Sequence, residues 1–342
     1  MKRVNEKFTL GKLKHDYLAQ LLSNLEIKDS RVIMGSKIGE DAAVIDIPGE
    51  NFLVAKTDPI TFASDEIGYY AVIVNVNDLV CTGAKPKWFQ STILLPEKLT
   101  TSKLIKRIFN NIHDTCQSME ITVVGGHTEI TPGLERPIVI GSLIGEVEKD
   151  KLVLTSGAEA GDDLILTKGI FIEGTSIIGR EKENELIQKN LSHGFIEKCK
   201  NYLFNPGISV FKEAILANNH FKIKSCHDPT EGGIATGIAE MAIASSSGVI
   251  IEEDKIIILP EPKILSEIFN LNPYNTISSG SLLIALDQKD SSNLIDLLRK
   301  NDINAEKIGK FVSKDKGLRV MKKDGKTYPL NYSVTDEITK IY

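Results

Sequence analysis

Acidic side chains occur in this sequence where apolar runs meet glycine or turn residues. Four aspartates share this placement, in the segments IGEDAAVI, VAKTDP, NVNDLV and HDPTEGG: Asp41, Asp58, Asp78 and Asp228. A single aspartate beside a turn usually closes that turn by a hydrogen bond to nearby backbone. Four that gather in one place repel each other unless a cation neutralises them. The pattern therefore indicates a fold that brings distant loops together around a cation, most commonly Mg²⁺ bridging the phosphates of a nucleotide.

Two glycine pairs supply the second part of a phosphate site. Gly125 and Gly126 follow the apolar strand segment ITVV, and a glycine-rich turn there leaves backbone N–H groups open to an anion. Gly232 and Gly233 stand at the predicted start of a helix, where the helix dipole favours phosphate. The sequence contains no GxxxxGK[ST] loop and no GxGxxG after a strand. Together with the aspartates, the glycine pairs favour nucleotide binding over ordinary turns.

The composition excludes several classes of protein. With 41 Lys and Arg against 46 Asp and Glu, the 342 residues carry a net charge of −5, unlike a dedicated nucleic-acid binder. The longest uncharged stretch, 268–286, contains Asn, Pro, Thr and Ser and does not suit a bilayer, and the N-terminus lacks the apolar segment of a secretion signal. We therefore expect a cytoplasmic protein with neither a nucleic-acid nor a membrane partner. Its four cysteines, none in a CxxC pair, indicate reduced thiols: Cys81, Cys116, Cys199 and Cys226.

Hydrophobic spacing predicts a mixture of helices and strands in the first half. Apolar residues recur at helical spacing over 13–25 and over 102–119. Short apolar runs at 42–47 and 52–55 have strand character, and a strand pair is expected over 137–144. Segment 65–80 begins with acidic residues that suit a helix start, although its VIVNV core is also compatible with a strand. If it is helical, Ala71, Asn75 and Asp78 lie on one face.

The charged, glycine-containing segment 146–163 is the best candidate for a domain boundary. Beyond it the pattern predicts a strand at 164–167, a glycine-rich loop, helices, the HDPTEGG loop and a helix at 233–244. A strand at 281–286 and a helix at 292–299 complete the pattern. We expect two α+β domains, 1–150 and 151–342, without a tandem repeat.

Five motifs in this order resemble the aminoimidazole ribonucleotide (AIR) synthetase-like, or PurM-type, superfamily: GEDAAVI (39–45), KTDP (56–59), NVNDLVCTGAKP (75–86), GGHTE (125–129) and HDPTEGG (227–233). This superfamily includes AIR synthetase, the hydrogenase-maturation protein HypE, thiamine-monophosphate kinase and selenophosphate synthetase. The resemblance covers most of the chain, and its motifs are specific as a series. HDPTEGG, DAAVI and the NDL-x-x-x-GA-x-P segment are most similar to HypE.

The resemblance implies a two-domain α+β or α/β fold, with an N-terminal β-barrel shared across a homodimer and a C-terminal α/β domain. ATP would lie between the domains with Mg²⁺ held by Asp41, Asp78 and Asp228, which are also the expected catalytic residues. His127 stands where relatives often have an acid, so either His127 or Glu129 takes that role. The expected cofactor contacts are Lys12, Asp58, Asn75, Gly125, Gly126, His127, Thr128, Glu129, Thr230, Gly232 and Gly233.

The implied chemistry is ATP-dependent phosphorylation of a carbonyl, amide or phosphate oxygen on a small or carbamoyl-type substrate, with ADP release. HypE modifies a cysteine at its own C-terminus, whereas the last cysteine here is Cys226, so we expect that step to be absent. Selenophosphate synthetase needs a reactive cysteine near its start, and the first cysteine here is Cys81, which disfavours that function. Two alternatives remain: a thiamine-monophosphate kinase-like phosphotransferase, and a non-catalytic ATP-binding partner in a hydrogenase-type maturation or regulatory complex.

Overall fold

The computed structural model describes residues 13, 15–61, 65–333 and 335–342, so the predicted phosphate contact Lys12 lies outside the described residues. The first half of the described chain forms one sheet with the strand order β1-β2-β3-β6-β4-β5. Its neighbouring strands are antiparallel except β4 and β5, which run parallel. The elements are α1 (His15–Leu22), β1 (Val32–Met34), β2 (Ala43–Asp46), β3 (Asn51–Ile60), α2 (Ile67–Cys81), β4 (Lys85–Pro96), α3 (Ser102–Ser118), β5 (Thr122–Thr131) and β6 (Ile138–Glu148).

The second half forms another mixed sheet around which most of the remaining helices pack. Its elements are β7 (Asp163–Thr167), α4 (Ile172–Glu181), α5 (Glu183–Gln188), α6 (His193–Asn201), α7 (Phe211–His220), β8 (Ile223–His227), α8 (Gly233–Ala244), β9 (Gly248–Glu252), α9 (Pro260–Phe269), β10 (Leu283–Leu286), α10 (Ser291–Lys300), β11 (Ala305–Val312), β12 (Leu318–Met321) and β13 (Thr327–Pro329). The strand order is β13-β12-β9-β11-β7-β10-β8, with only β9 and β12 parallel. The expectation of a two-domain α+β fold is thereby confirmed.

Helix α2 is the central element of the molecule. Every residue of α2 except Tyr69 is buried, because one face packs on β3 and β6 while the other meets α7 and β8 of the second half. One apolar core accordingly contains Leu79 of α2, Ala217 of α7 and Ile223 of β8. This two-sided burial explains why the apolar VIVNV run is compatible with a strand by composition and yet forms a helix.

A glycine sets the distance between α2 and the first sheet. A Cβ atom on Gly141 of β6 would lie 2.3 Å from Asn75 Nδ2 and 2.7 Å from the Ala71 carbonyl oxygen. A Cβ atom cannot come this close to nonbonded atoms, so only glycine lets the helix approach this strand closely. Asn75 is thereby held directly over the middle of the sheet.

The buried face of helix α3 follows the hydrophobic periodicity predicted from the sequence. Its buried residues, Ile108, Ile112, Thr115 and Cys116, recur at helical spacing on one face. The helix begins after Thr101, whose side chain accepts a hydrogen bond from the Leu104 N–H at 3.2 Å. The predicted helices 102–119 and 233–244 are confirmed as α3 and α8.

Three local predictions were wrong. Gly125 and Gly126 do not form a turn, because β5 continues through both of them to Thr131. Segment 137–144 is not a strand pair but part of the single long strand β6, whose alternate residues are buried. Strand β3 extends well beyond 52–55 and includes Asp58, so this aspartate lies within a strand. In each case hydrogen bonding to neighbouring strands overrides the local turn signal.

No helix among the described residues has both the length and the apolar composition that crossing a membrane requires.

Candidate functional site

The predicted aspartates approach one another where the two halves of the chain meet. Asp41 lies two residues before β2, Asp58 lies within β3, Asp78 lies in the last turn of α2, and Asp228 follows β8 directly. Asp78 and Asp228 are only 5% and 1% exposed. The Asp41 side chain is also buried, whereas Asp58 reaches partly into solvent. The fold therefore brings together four carboxylates that are up to 187 residues apart in sequence, between Asp41 and Asp228.

Burial and repulsion from neighbouring carboxylates raise the pKa values of Asp78 and Asp228. The pKa of Asp78 is raised to about 7, chiefly by burial and also by the carboxylates of Asp58 and Asp41, against the opposing charge of Lys56. Burial also raises the pKa of Asp228 well above its ordinary value, with added repulsion from Asp78 and Asp41. Asp228 Oδ2 is buried and has no hydrogen-bond partner among the described residues. Such a group of carboxylates gains stability from a bound cation.

Lys56 is a member of the site that sequence reasoning missed. Its Nζ lies 3.0 Å from Asp78 Oδ2 and 3.5 Å from Asp58 Oδ2. Burial alone would lower the pKa of Lys56, but the carboxylates of Asp78, Asp58 and Asp41 outweigh it and raise that pKa. The signal was present in KTDP, because residues two apart on a strand such as Lys56 and Asp58 face the same side.

A second missed feature holds Asp41 in place. His227 Nδ1 lies 2.8 Å from Asp41 Oδ1, and His227 Nε2 lies 3.0 Å from Glu240 Oε2 on α8. Burial opposes protonation of His227, yet Asp41 and Glu240 raise its pKa well above the ordinary value. His15 of α1 continues the chain of contacts, with Nε2 3.3 Å from Glu240 Oε1. His227 directly precedes Asp228, but nothing in the sequence indicates that it reaches Asp41.

Hydrogen bonds also tie the loop before β2 to the second half of the chain. The Glu40 carboxylate accepts N–H groups from Thr155 and Ser156, each at 3.1 Å. The Thr155 hydroxyl donates to Asp41 Oδ2 at 3.3 Å. These bonds position the GED segment, so the Asp41 carboxylate is oriented from both sides.

Asn75 lies beside the strand that carries Asp58. Its Nδ2 donates to the Ala71 carbonyl at 2.8 Å and, more weakly, to the Asp58 carbonyl at 3.4 Å. Its Oδ1 is buried and has no hydrogen-bond partner within the part of the chain that the structure describes. Asn75 therefore offers an unused acceptor next to the Asp58 strand.

The GGHTE segment lies apart from the aspartates, on the edge strand β5. Asp58, Gly141, Ser91 and Gly126 are paired in one row across β3, β6, β4 and β5. Three strand spacings separate Gly126 from Asp58, about 14 Å. Thr128 and its neighbours on this strand are exposed, and the His127 and Glu129 side chains bind each other at 3.2 Å. The question of which of these two takes the acidic role stays open.

The other glycine pair begins α8 as predicted, with Gly232 as its N-cap. The Gly232 N–H donates to Asp336 Oδ2 at 2.6 Å, so a carboxylate of the C-terminal segment already binds this helix end. The Thr230 carbonyl accepts the N–H groups of Gly233 and Ser278. The anion-binding character expected of this helix start is thus used by a side chain of the protein itself.

Cys81 adds a sulfur atom to the site. Its Sγ lies 3.9 Å from Asp228 Oδ1. One ligand atom each from Asp41, Cys81 and Asp228 lies within 4.8 Å of the others. Burial raises the pKa of the Cys81 thiol well above its ordinary value, and contact with Cys226 adds to this effect.

The donor set of the aspartates fits Mg²⁺. Mg²⁺ prefers carboxylate oxygens and is usually bound by one or two carboxylates together with substrate phosphates. The buried, unpartnered Asp228 Oδ2 and the raised pKa of Asp78 are the features expected of carboxylates that gather to bind a cation. Among the described residues, Asp41, Asp78 and Asp228 are therefore suited to hold this ion.

Known proteins resemble the chain over both halves. The family models described as AIR synthase related protein, N-terminal domain and C-terminal domain match residues 39–147 and 159–322. A putative hydrogenase expression/formation protein of Methanocaldococcus jannaschii is 29% identical over 307 residues, 87% of each chain. The selenide, water dikinase of the same organism is 26% identical over 329 residues, 90% of this chain and 89% of that protein. The crystal structure of HypE in complex with ATP has a TM-score of 0.71 and 19% identity, covering 97% of this chain and 100% of that chain, which shows a common fold.

Proposed function

The chain belongs to the AIR synthase related protein family, and from this premise we propose that it is an ATP- and Mg²⁺-dependent enzyme. It transfers the γ-phosphoryl group of ATP to a carbonyl, amide or phosphate oxygen of a small substrate and releases ADP. The observation that carries this proposal is the convergence of Asp41, Asp78 and Asp228 at the junction of the two halves, with raised pKa values for Asp78 and Asp228. Its domains correspond to 1–150 and 151–342, in line with the two sheets.

Each charged residue of the site has a role in this reaction. Asp41, Asp78 and Asp228 hold Mg²⁺, and His227 and Thr155 orient Asp41. When bound, Mg²⁺ supplies the positive charge that neutralises the phosphates as the phosphoryl group transfers.

Lys56 limits the repulsion between Asp58 and Asp78 and supplies a further cation at the site. Asn75 offers its free acceptor to a donor group of the nucleotide or the substrate.

The glycine segments bind the phosphate chain of ATP in this proposal. Gly125, Gly126 and Thr128 are the proposed contacts on β5, where they are exposed about 14 Å along the strand row from Asp58. At the start of α8, a phosphate on the Gly232 N–H must replace the Asp336 carboxylate. Nucleotide binding at this position therefore requires the C-terminal segment to shift.

A homodimer completes the first sheet. Strand β5 pairs with β4 on one side, and within the described chain its other edge is open. Val123, Val124 and Ile130 are exposed there, with Val124 54% exposed. An open edge with apolar side chains favours pairing with another strand, so a second copy of the chain is the proposed occupant. Sedimentation should give a dimer, and Val124→Lys should shift it toward monomer.

The enzymatic proposal is tested by measuring turnover. Purified protein is incubated with Mg-ATP and a panel of acceptors that includes carbamoyl compounds, thiamine monophosphate and selenide, and released ADP is measured. We expect ADP release with one acceptor class and a loss of at least about a hundredfold in Asp41→Asn and Asp228→Asn. Asp296→Asn, at an exposed position on α10, is the matched control.

Two outcomes would contradict the proposed enzymatic function. Absence of ATP binding at millimolar nucleotide would exclude an ATP-dependent enzyme. ATP-dependent association with a hydrogenase-maturation protein, without turnover of any acceptor, would assign the chain as a non-catalytic ATP-binding partner.

A further inference from the structure

A cysteine lies among the carboxylates of the site, where the Mg²⁺ chemistry has no use for it. Cys81 is the last residue of α2, is 2% exposed, and points its Sγ toward Asp228 Oδ1 at 3.9 Å. Mg²⁺ selects oxygen ligands, whereas thiolates select softer cations such as Zn²⁺. The sulfur therefore changes which cations the site accepts.

The separations between the candidate ligand atoms suit such a cation. With a metal–sulfur distance of about 2.3 Å, a metal–oxygen distance of about 2.1 Å and tetrahedral angles, sulfur and oxygen ligands lie about 3.6 Å apart. The observed separation of Sγ and Asp228 Oδ1 is 3.9 Å, and the carboxylate of Asp41 lies within 4.8 Å of both groups. A movement of about 0.3 Å would bring Sγ and Asp228 Oδ1 to this separation, and the Asp41 carboxylate would move inward by roughly 1 Å at most.

A second observation at this position points to a ligand. Asp228 is 1% exposed, and its other oxygen, Oδ2, has no hydrogen-bond partner within the described chain. Buried carboxylate oxygens are normally paired, so an unpaired one beside a thiol indicates a position suited to a metal ion. His227 meanwhile binds Asp41 at 2.8 Å, in the manner of the groups that orient metal-binding carboxylates.

We propose that Asp41, Cys81 and Asp228 form a binding site for a thiophilic divalent cation such as Zn²⁺ or Cd²⁺. The metal forms one bond to the Cys81 sulfur, and the thiol proton leaves to solvent. The site shares Asp41 and Asp228 with the proposed Mg²⁺ site, so the two cations compete. This inference goes beyond the proposed function, because binding of the soft cation requires neither ATP nor a substrate.

The test is a titration of the full-length protein with Cd²⁺ in the absence of nucleotide. A thiolate–Cd²⁺ bond produces a charge-transfer absorption in the ultraviolet, and calorimetry gives the affinity independently. We expect the absorption in the wild type, its loss in Cys81→Ser, and Cd²⁺ binding weakened at least about tenfold in that variant. Added Mg²⁺ should weaken Cd²⁺ binding to the wild type.

Three variants make the result specific. Cys116→Ser removes an equally buried thiol on α3 that lies outside the cluster, and it should keep the absorption. Asp228→Asn keeps all thiols and should weaken Cd²⁺ binding, which tests the site even if Cys81→Ser does not fold. Cys226→Ser should keep the absorption, because Cys226 is not among the three proposed ligands.

Absorption that persists in a folded Cys81→Ser variant, or that is absent from the wild type, would overturn the proposal. Neither result affects the proposed ATP-dependent reaction, which is measured with Mg²⁺ and nucleotide. Conversely, a Cd²⁺ site that depends on Cys81 would stand even if no acceptor is ever phosphorylated.

Discussion

His227 Nδ1 lies 2.8 Å from Asp41 Oδ1, and this contact links the last residue of β8 to the loop before β2. The two residues are 186 positions apart. Because Glu240 holds the opposite ring nitrogen of His227, the imidazole is fixed between two carboxylates. An aspartate of the first half is thus oriented by a histidine of the second half, so the geometry of the proposed metal site depends on how the two halves of the chain pack.

Replacing His227 should weaken Mg²⁺ binding, and this effect should be larger than its effect on the free energy of unfolding. In His227→Gln, Asp41 loses the cationic donor that orients it, and we expect the Mg²⁺ concentration for half-maximal nucleotide binding to rise about tenfold or more. Calorimetry at several Mg²⁺ concentrations measures this change. His220→Gln, at an exposed position on α7, is the control, and an unaltered Mg²⁺ dependence in His227→Gln would contradict the assigned role.

Asn77 should contribute strongly to the stability of the junction between the two halves. Its Oδ1 accepts the Val210 N–H at 2.9 Å, and its Nδ2 donates to the Ile208 carbonyl at 2.8 Å, with all three residues buried. Asn77→Ala leaves both backbone groups unpaired, and we expect the free energy of unfolding to fall by about 2–4 kcal/mol. Urea unfolding measures this loss. Asn110→Ala, on the exposed face of α3, should change stability little, and a similarly small change in Asn77→Ala would refute the prediction.

Glu173 should make the protein less stable as the pH rises. Burial raises the pKa of Glu173 from 4.5 to about 7, and Asp336 and Glu231 add repulsion against the opposing effect of Ser279. The folded protein therefore binds this proton more tightly than the unfolded chain does. The associated stability is complete below about pH 4.5 and is lost as the pH rises toward 7, about 3 kcal/mol in all.

The comparison with Glu173→Gln isolates this effect. The amide cannot ionise, so the free energy of unfolding of the variant should fall less than that of the wild type between pH 4.5 and 7. Chemical denaturation at a series of pH values gives both curves. Parallel curves for the two proteins would show that Glu173 does not titrate in this range.

Gly141 should tolerate no side chain. In Gly141→Ala the added Cβ meets Asn75 Nδ2 and the Ala71 carbonyl, so α2 must move away from β6 at a cost of about 1–3 kcal/mol. Gly194→Ala on α6 is the matched control, because no atom lies within 4 Å of its added Cβ and alanine favours a helix. Thermal unfolding should separate the two variants in opposite directions, and equal stabilities would contradict the packing described for α2.

The sequence allowed prediction of elements whose signal is local. The apolar spacing of α3 and the glycine start of α8 predict those helices almost to the residue. The path of the chain through Gly125 and Gly126 was not predictable in this way. Taken alone, these two glycines predict a turn, but pairing with β4 keeps them extended. A Cβ atom on Gly126 would lie 2.1 Å from the Ser91 carbonyl oxygen. The glycine is required by a neighbouring strand rather than by a turn.

The candidate site likewise combines residues that local sequence predicts with residues that only tertiary contacts reveal. Asp41, Asp78 and Asp228 could be predicted because similar residues recur beside similar turns, and the resemblance to a known superfamily orders them. His227, Thr155 and Cys81 could not, because each acts through a contact that exists only after the two halves pack. Local sequence therefore indicates the carboxylates, and tertiary structure alone shows what orients and surrounds them.

The most direct test of the central claim is calorimetric titration of ATP into the protein, with Mg²⁺ in excess and with Mg²⁺ removed by chelation. The wild type should bind ATP at least about tenfold more tightly with Mg²⁺, and Asp228→Asn in Mg²⁺ should bind no better than the chelated wild type. Equal ATP affinity with and without Mg²⁺, or an Asp228→Asn variant that keeps the full Mg²⁺ effect, would contradict a cation held by these aspartates.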